Sequence, residues 1–292
     1  MVEAKYDVAV CGSLHLDILV DAPHLPRLDE TAVGSAWRQA CGGKGGNQAV
    51  RAARLGIRVA MIGCVGADPF GQQLCAHLDA AGVNRRGVVI DTAAGSGMSV
   101  AIVDKDGNYG AVIVSGANLA IDPDVAAAIW DQLGGSRVLL LQNEVPTAVN
   151  LAAARAARRA GAVIVLNAAP ARDSDAQLDG LIDVLVVNRI EAEMFTGTTI
   201  HDRAGARAIL PSLGSERRTV IITLGGSGLV MAVPGSDPVE IDALPVTVIS
   251  THGAGDCFVG ALASRLAAGD TAIEACHFAN RAAADFVSMI DP

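Results

Sequence analysis

Aromatic side chains are scarce in this chain of 292 residues: two Trp, two Tyr and five Phe make up 3% of it. Hydrophobic residues still reach 51%, so the core must consist of Ala, Val, Leu and Ile, as is typical of parallel strands covered by Ala-rich helices. Basic residues are also few, with 22 Lys and Arg against 31 Asp and Glu and a formal net charge of -9. That balance argues against general binding to nucleic acids or to anionic membranes.

Long apolar runs and paired cysteine motifs are missing as well. No stretch approaches ~18 uninterrupted apolar residues, and the start MVEAKYDVAVCGS lacks a basic region followed by a long apolar run, so we predict neither a membrane span nor a signal peptide. The cysteines form no C-x-x-C motif and have no zinc-finger spacing to histidine; they are Cys11, Cys41, Cys64, Cys75, Cys257 and Cys276. We predict reduced, mostly buried thiols and a cytoplasmic location.

Short apolar segments alternate with Ala-rich, helix-like segments along most of the chain. Strands are predicted at 6–10, 59–65, 138–141, 163–167, 183–187, 220–223 and 228–233, and helices at 47–55, 69–81, 147–160, 191–196, 202–213, 254–268 and 271–288. This alternation predicts an α/β fold with a mostly parallel central sheet wrapped by helices. Ligands bind such sheets beyond the carboxyl ends of the strands.

Two β-rich regions do not fit the alternation. They lie at about 14–39 and 97–115, and the second, MSVAIVDKDGNYGAVIVSG, is typical of a hairpin with strands at 98–103 and 110–114. We predict that both form a small separate β-sheet, a lid, on a single α/β domain spanning residues 1–292.

The segment STHGAGDCF, residues 250–258, places a carboxylate directly behind a Gly-Ala-Gly turn. Asp256 is explained equally by a helix start, where an acid meets the positive end of the helix dipole. However, the backbone amides of Gly253, Ala254 and Gly255 would form an anion site there, and an acid beside bound phosphate is unfavourable unless it accepts a proton. The alternative is therefore a general base that activates a hydroxyl for attack on phosphorus.

Three further polar or glycine-rich segments follow predicted strands or open predicted helices. CGGKGGNQA (41–49) is explained by a plain turn or by a loop that a ligand approaches closely, with Asn47 beginning a helix. Asn188 and Glu191 form either a helix cap or a Mg²⁺ site. IITLGGSG (221–228) is either a tight hairpin or a phosphate-contacting loop. The P-loop and the dinucleotide-binding fingerprint are both absent, which argues against a Rossmann oxidoreductase.

Taken in order, these motifs resemble those of the ribokinase-like sugar kinases, the phosphofructokinase B family, and most closely the ribokinase branch. The matching segments are GSLHLD, GGKGGNQA, NEVP, LNAAPAR, VNRIEAE, ITLGGSG and THGAGD, and they extend over nearly the whole chain. The resemblance implies a ribokinase-like fold with a β-sheet lid, which in this family often forms a homodimer contact. It also implies an ATP-dependent carbohydrate kinase that uses Mg²⁺.

Roles for individual residues follow from the same resemblance. Asp256 would be the base, with Gly253, Ala254 and Gly255 as the anion hole for the γ-phosphoryl group. The sugar pocket would contain His15, Asp17, Gly43, Lys44, Asn47 and Glu144. ATP would contact Asn188, Thr223, Gly225 and Asn280, and Asn188 and Glu191 would hold Mg²⁺.

The chain departs from the family pattern at three places. His15 stands where ribokinases usually have Asn beside the sugar, and Ser250 stands where an Asp usually helps to hold a monovalent cation. The sequence also stops at SMIDP, where the family continues through a loop that completes the cation site. The last two departures argue against activation by potassium.

The expected reaction is transfer of the γ-phosphoryl group of Mg-ATP to a primary hydroxyl of a pentose-like sugar, converting ribose to ribose 5-phosphate. Two alternatives stay open. One is a kinase of the same family that acts on a nucleoside or another sugar, which His15 keeps open. The other is a non-catalytic sugar or nucleotide sensor.

Overall fold

The computed structural model describes residues 5–106, 108–214 and 216–289. Its strands are β1 (Tyr6–Cys11), β2 (His15–Ala22), β3 (Ala36–Gly42), β4 (Val59–Gly66), β5 (Asn84–Asp91), β6 (Gly97–Asp104), β7 (Tyr109–Val114), β8 (Ser136–Gln142), β9 (Val163–Asn167), β10 (Val184–Asn188), β11 (Thr219–Thr223), β12 (Leu229–Ala232) and β13 (Val239–Ile241). Its α-helices are α1 (Lys44–Arg54), α2 (Pro69–Ala80), α3 (Pro123–Leu133), α4 (Thr147–Arg159), α5 (Ala176–Asp179), α6 (Arg189–Thr196), α7 (Arg203–Ala208), α8 (Ala254–Ala268) and α9 (Ala272–Val287).

The central sheet has nine strands in the order β13-β12-β11-β10-β9-β8-β1-β4-β5. The strands from β11 through β5 pair in parallel, and β12 and β13 are added antiparallel. Apolar residues fill the strands at nearly every position, since both faces are covered. Helices α3–α7 pack on one face and α1, α2, α8 and α9 on the other.

Polar residues mark the carboxyl ends of the parallel strands. Gln142, the last residue of β8, is the register partner of Asn167, the last residue of β9. Asn188 of β10 is likewise the register partner of Thr223 of β11. The parallel arrangement therefore collects polar side chains from distant segments along one edge of the sheet.

A second sheet of four strands, in the order β3-β2-β6-β7, lies at this edge. Strand β2 begins four residues after β1 ends, so the main sheet leads directly into it. Strands β2 and β6 pair in parallel, and β3 and β7 flank them antiparallel. Most of its side chains are half-buried or exposed, in contrast to the central sheet.

The predicted fold class is confirmed, but several boundaries were wrong. Helix α1 begins at Lys44 and not at Asn47, because Gly43 with φ 84° supplies the non-helical residue that starts it. Strand β3 covers 36–42, so the first β-rich region extends beyond its predicted end at about 39. Pro211 interrupts the helix expected over 202–213, which ends as α7 at Ala208 and continues as a short 3-10 turn.

Four elements were missed, among them the four-residue helix α5. Helix α3 carries a clear start signal, since Asp122 caps it and Pro123 occupies its first position. Strand β5 lies at the edge of the sheet and is only partly buried, so its apolar pattern is weak. Strand β13 has only three residues.

Two other predictions bear on the whole chain. Within the described ranges, no helix is both long enough and apolar enough to cross a membrane. All six cysteines are free thiols, and five of them are buried.

Candidate active site

Asp256 lies in the first turn of α8, three residues after Gly253, whose left-handed conformation (φ 78°) begins the helix. Each of its carboxylate oxygens accepts one side-chain amide: Asn47 Nδ2 donates to Oδ2 at 3.0 Å and Gln48 Nε2 donates to Oδ1 at 2.9 Å. Burial raises the pKa of Asp256, while the Lys44 charge and the two amides act in the opposite direction. The carboxylate is thus held in one orientation by neutral donors.

Gln48 is fully buried and is itself held by two further amides. Its Nε2 also donates to Asn167 Oδ1 at 2.9 Å, and its Oε1 accepts from Gln142 Nε2 at 2.6 Å. None of these three residues was predicted from the sequence to belong to the site. Two signals were available: Gln48 is a polar residue on the buried face of an Ala-rich helix, and Gln142 and Asn167 end apolar strands.

Glu144 connects the other residues of the predicted sugar pocket. Its Oε2 accepts from the Lys44 backbone amide at 2.8 Å and from the Ser13 hydroxyl, and it lies 3.9 Å from His15 Nδ1. No hydrogen bond to Oε1 is recorded among the described residues. That oxygen therefore has no hydrogen-bond donor in the described part of the chain and suits a ligand hydroxyl. Ser13 was also missed by the sequence analysis.

Asp17 lies on β2, where the Ser99 hydroxyl on β6 donates to its Oδ1. Gly42 on β3 lies close by, and a Cβ at that position would be 2.1 Å from Asp17 Oδ2, so a side chain there would displace the Asp17 carboxylate. Gly43 approaches the β1–β2 connection as closely: its Cβ would be 2.8 Å from the His15 backbone nitrogen. Glycine is therefore required here by close approach as well as by conformation.

His15 is 4% exposed and its Nε2 atom has no hydrogen-bond partner among the described residues. The ring packs against Gly97, where an added Cβ would be 2.3 Å from His15 Cδ2. Only the Nδ1 edge faces Glu144. A ligand would therefore meet His15 through this edge or through the shape that the ring gives the pocket.

Asn188 and Glu191 form the helix cap that the sequence allowed. Asn188 Oδ1 accepts from the Glu191 amide at 2.9 Å, and Glu191 Oε2 accepts from the Asn188 amide at 2.8 Å. Burial raises the pKa of Glu191. In the described chain no cluster of three or more His, Cys, Asp or Glu residues could hold a metal ion. The pair does fit Mg²⁺ bound mainly by water and phosphate, because Glu191 Oε1 is not used by the cap.

The residues predicted to contact ATP lie in a more open part of the site. Thr223 Oγ1 donates weakly to Val187 O at 3.4 Å, Gly225 begins a short 3-10 turn with φ 58°, and Asn280 Nδ2 donates to Asp242 O at 2.8 Å. The IITLGGSG segment is a hairpin, since β11 and β12 pair antiparallel around that turn.

The prediction that three backbone amides form the anion hole was wrong for one of them. The Ala254 amide is not free, because it donates to Thr251 O at 3.2 Å to close the turn before α8. Gly253 and Gly255 retain amides for which no acceptor is recorded among the described residues. An anion would therefore meet two available donors here.

Comparisons with known proteins agree with this geometry. The model of the pfkB family of carbohydrate kinases matches residues 5–289. The chain belongs to that family. The kinase is 34% identical over 280 residues to the ribokinase of Haemophilus influenzae, covering 95% of this chain and 90% of that protein. It is 35% identical over 278 residues to the ribokinase of Bacillus subtilis, covering 95% and 91%.

A solved structure shows the same fold. Ribokinase of Arabidopsis thaliana, determined with ribose and ATP, superposes on this kinase with a TM-score of 0.87 at 28% identity, covering 97% of this chain and 93% of that one. The predicted enzyme class, an ATP-dependent carbohydrate kinase, is thereby confirmed.

Proposed function

We propose that this kinase transfers the γ-phosphoryl group of ATP to the primary hydroxyl of a pentose-like sugar, with ribose, giving ribose 5-phosphate, as the first candidate. The observation that carries the proposal is the placement of Asp256. A carboxylate held by two amides stands within one helical turn of the Gly253 and Gly255 amides, which have no acceptor among the described residues. A proton acceptor and an anion site are thus adjacent, as alcohol phosphorylation requires.

Asp256 would remove the proton from the attacking hydroxyl. Each oxygen accepts only one recorded hydrogen bond, from Asn47 or Gln48, so lone pairs remain for the sugar. Burial raises the pKa of this carboxyl, which makes it a stronger base than an exposed aspartate. The ionised form is still the active one, so turnover should fall as the pH drops through that pKa.

The sugar would be held between the two sheets. Glu144 Oε1 and the free lone pairs of Asp17 would accept its other hydroxyls, while His15, Gly43, Lys44 and Asn47 would complete the pocket. Asp17 reaches the pocket from the small sheet, so movement of that sheet would close the site and exclude water that otherwise hydrolyses ATP.

The phosphates would lie along the neighbouring strand ends. Gly253 and Gly255, at the start of α8, would receive the transferring group, and Asn188, Thr223, Gly225 and Asn280 would contact the nucleotide. Asn188 and Glu191 would hold Mg²⁺, through its water ligands, beside the phosphates. Bound there, the ion would neutralise phosphate charge during transfer.

A second candidate is the same reaction on another sugar or on a nucleoside. His15 favours it, because a buried imidazole gives the pocket a different shape from an amide. A sensor without turnover is the remaining alternative, and the constrained base argues against it.

The test is ADP release with Mg-ATP across ribose, 2-deoxyribose, other pentoses, hexoses and nucleosides, with and without potassium. We expect turnover led by ribose, no dependence on potassium, and phosphate on the primary carbon by NMR. Turnover led by another alcohol would keep the mechanism and change the substrate. Sugar binding without ADP release on any acceptor would contradict a kinase and favour the sensor.

We also propose a cytoplasmic homodimer formed through the small sheet. Alternation along its strands places Ile18, Val20, Trp37, Val100 and Val112 on one face, and Trp37 and Val112 are 67% and 68% exposed. An apolar face of this kind is typical of a protein interface. In sedimentation experiments, Val112→Lys should shift a dimer to monomer; a wild-type monomer would contradict the dimer.

A further inference from the structure

The side-chain amides of Asn167, Gln48 and Gln142 form a hydrogen-bonded amide chain beside Asp256. The direction of donation along this amide chain is fixed at both ends. At one end, Asn167 Nδ2 donates to Val186 O at 3.3 Å, and a backbone carbonyl can only accept. Asn167 must therefore present its Oδ1 to Gln48. At the other end stands the Asp256 carboxylate, which in its ionised form also only accepts.

These two acceptors determine the orientation of Gln48. Its Nε2 lies 2.9 Å from both Asn167 Oδ1 and Asp256 Oδ1, so both of its protons are used. In the flipped amide, Gln48 Oε1 would face two acceptors. Gln142 then fixes the other side, because its Nε2 donates to Gln48 Oε1 at 2.6 Å.

We propose that Gln48 and Gln142 are positioning residues for the base: their one-way amide chain keeps an N–H donor directed at the ionised carboxylate of Asp256. Gln48 acts on Asp256 directly, and Gln142 acts through Gln48. Both side chains are fully buried at 0% exposure, so water cannot replace either donor.

The hydrogen-bonded amides of Asn167, Gln48 and Gln142 carry no charge. Their effect on Asp256 can therefore be separated from that of the nearby charged groups. The charged groups that act on Asp256 are Lys44 from α1, Glu144 from the β8–α4 connection and Glu191 from α6. None of them bonds to Gln48 or Gln142 in the described structure. Replacing either amide with an apolar side chain therefore changes the donors to Asp256 and no formal charge.

The proposal rests on the proposed kinase function, and the first test uses the pH profile of kcat. Gln48→Met removes the donor and should move the acid limb upward by roughly one pH unit, since a hydrogen bond to a charged group is lost. Gln142→Met leaves the Gln48 donor in place and removes only the hydrogen bond to Gln48 Oε1, so a smaller shift in the same direction is expected.

Asn150→Leu is the matched control. Asn150 is equally buried and donates to the backbone oxygen of Gln142 at 2.7 Å, but within the described structure it makes no hydrogen bond to the side-chain amides of Gln48, Gln142 or Asn167. It should lower the melting temperature and leave the pH midpoint unchanged. If the acid-limb midpoint of kcat in all three variants equals that of the wild type, and only the melting temperature changes, the amides have a structural role and the proposal is overturned.

A second measurement needs neither turnover nor stable variants. In the wild-type protein, the side-chain N–H signals of Gln48 and Gln142 should exchange slowly with solvent, and the Gln48 signal should titrate with the Asp256 carboxyl by NMR. A Gln48 signal insensitive to pH, or fast exchange, would overturn the amide chain. Failure of every acceptor in the ADP assay would instead reject the kinase function and leave this measurement valid.

Discussion

The two ends of the candidate site are built differently. At the base end, Ser13, Gln48 and Gln142 are all 0% exposed and bonded to other side chains across the core. At the nucleotide end, Gly225 and the segment 250–252 are exposed, and the recorded bonds of Thr223 and Asn280 go to backbone oxygens. One end is assembled by the fold, and the other is open to water.

This difference follows from burial. A buried polar group without a partner costs about 1–3 kcal/mol, so the base end pairs Ser13, the Gln48 amide and the Gln142 N–H₂ group before any ligand arrives and, among the described residues, leaves only His15 Nε2 and Gln142 Oε1 buried without a partner there. Exposed groups at the nucleotide end exchange water for ATP at little cost. We therefore expect mutations at the base end to lower kcat, and mutations at the nucleotide end to raise the KM for ATP.

The larger effect is expected at Glu144. In Glu144→Gln the negative charge is lost and only one acceptor oxygen remains, so an amide N–H₂ group must face either the two donors, Ser13 and the Lys44 amide, or the sugar hydroxyl. We expect kcat/KM for the sugar to fall ~10²-fold, as when one buried charged partner is lost. Glu193→Gln is the matched control, since Glu193 also accepts a backbone amide, from Ile200, away from the site. Equal losses in both variants would contradict this role of Glu144.

A smaller effect is expected at Asn280. Asn280→Ala removes the bond to Asp242 O that ties α9 to the segment after β13. The KM for ATP should rise roughly tenfold or less, as expected for one neutral hydrogen bond, with the KM for the sugar unchanged. A change confined to the sugar KM would show that the two ends are not separated as described.

The site residues that were predicted from the sequence lie in short segments with a recognisable turn or helix-start pattern. Asp256 follows a Gly-Ala-Gly turn, and Asn188 and Glu191 are three apart at a helix start. These local patterns selected the residues, while their proposed roles came from the family resemblance. The alternating strands similarly predicted the central sheet. Such features depend on period and turn chemistry within a few residues.

The residues that were missed have partners far along the chain. Gln48 is 94 residues from Gln142, 119 from Asn167 and 208 from Asp256. No local pattern relates them; they meet because parallel strands end at one edge of the sheet. The register of the folded chain was needed to find them. The Ala254 amide is a different case, because its acceptor, Thr251 O, is only three residues away and depends on the geometry of the turn.

The proposed mechanism depends on Asp256 as the base, and Asp256→Asn removes that base while keeping the size of the side chain. Burial raises the pKa of this carboxyl above its unfolded value, so ionisation weakens folding as the pH rises through that pKa. The variant should thus be at least as stable as the wild type at pH 8, and Asn47 can rotate to accept from the new amide.

The measurement is a single turnover by rapid quench, with the acceptor sugar and Mg-ATP both saturating, alongside the sugar Kd and the melting temperature. We predict a rate reduced ~10³-fold, within the range of general-base catalysis, with the sugar Kd and stability retained. An unchanged single-turnover rate in a folded, sugar-binding Asp256→Asn protein would contradict the account.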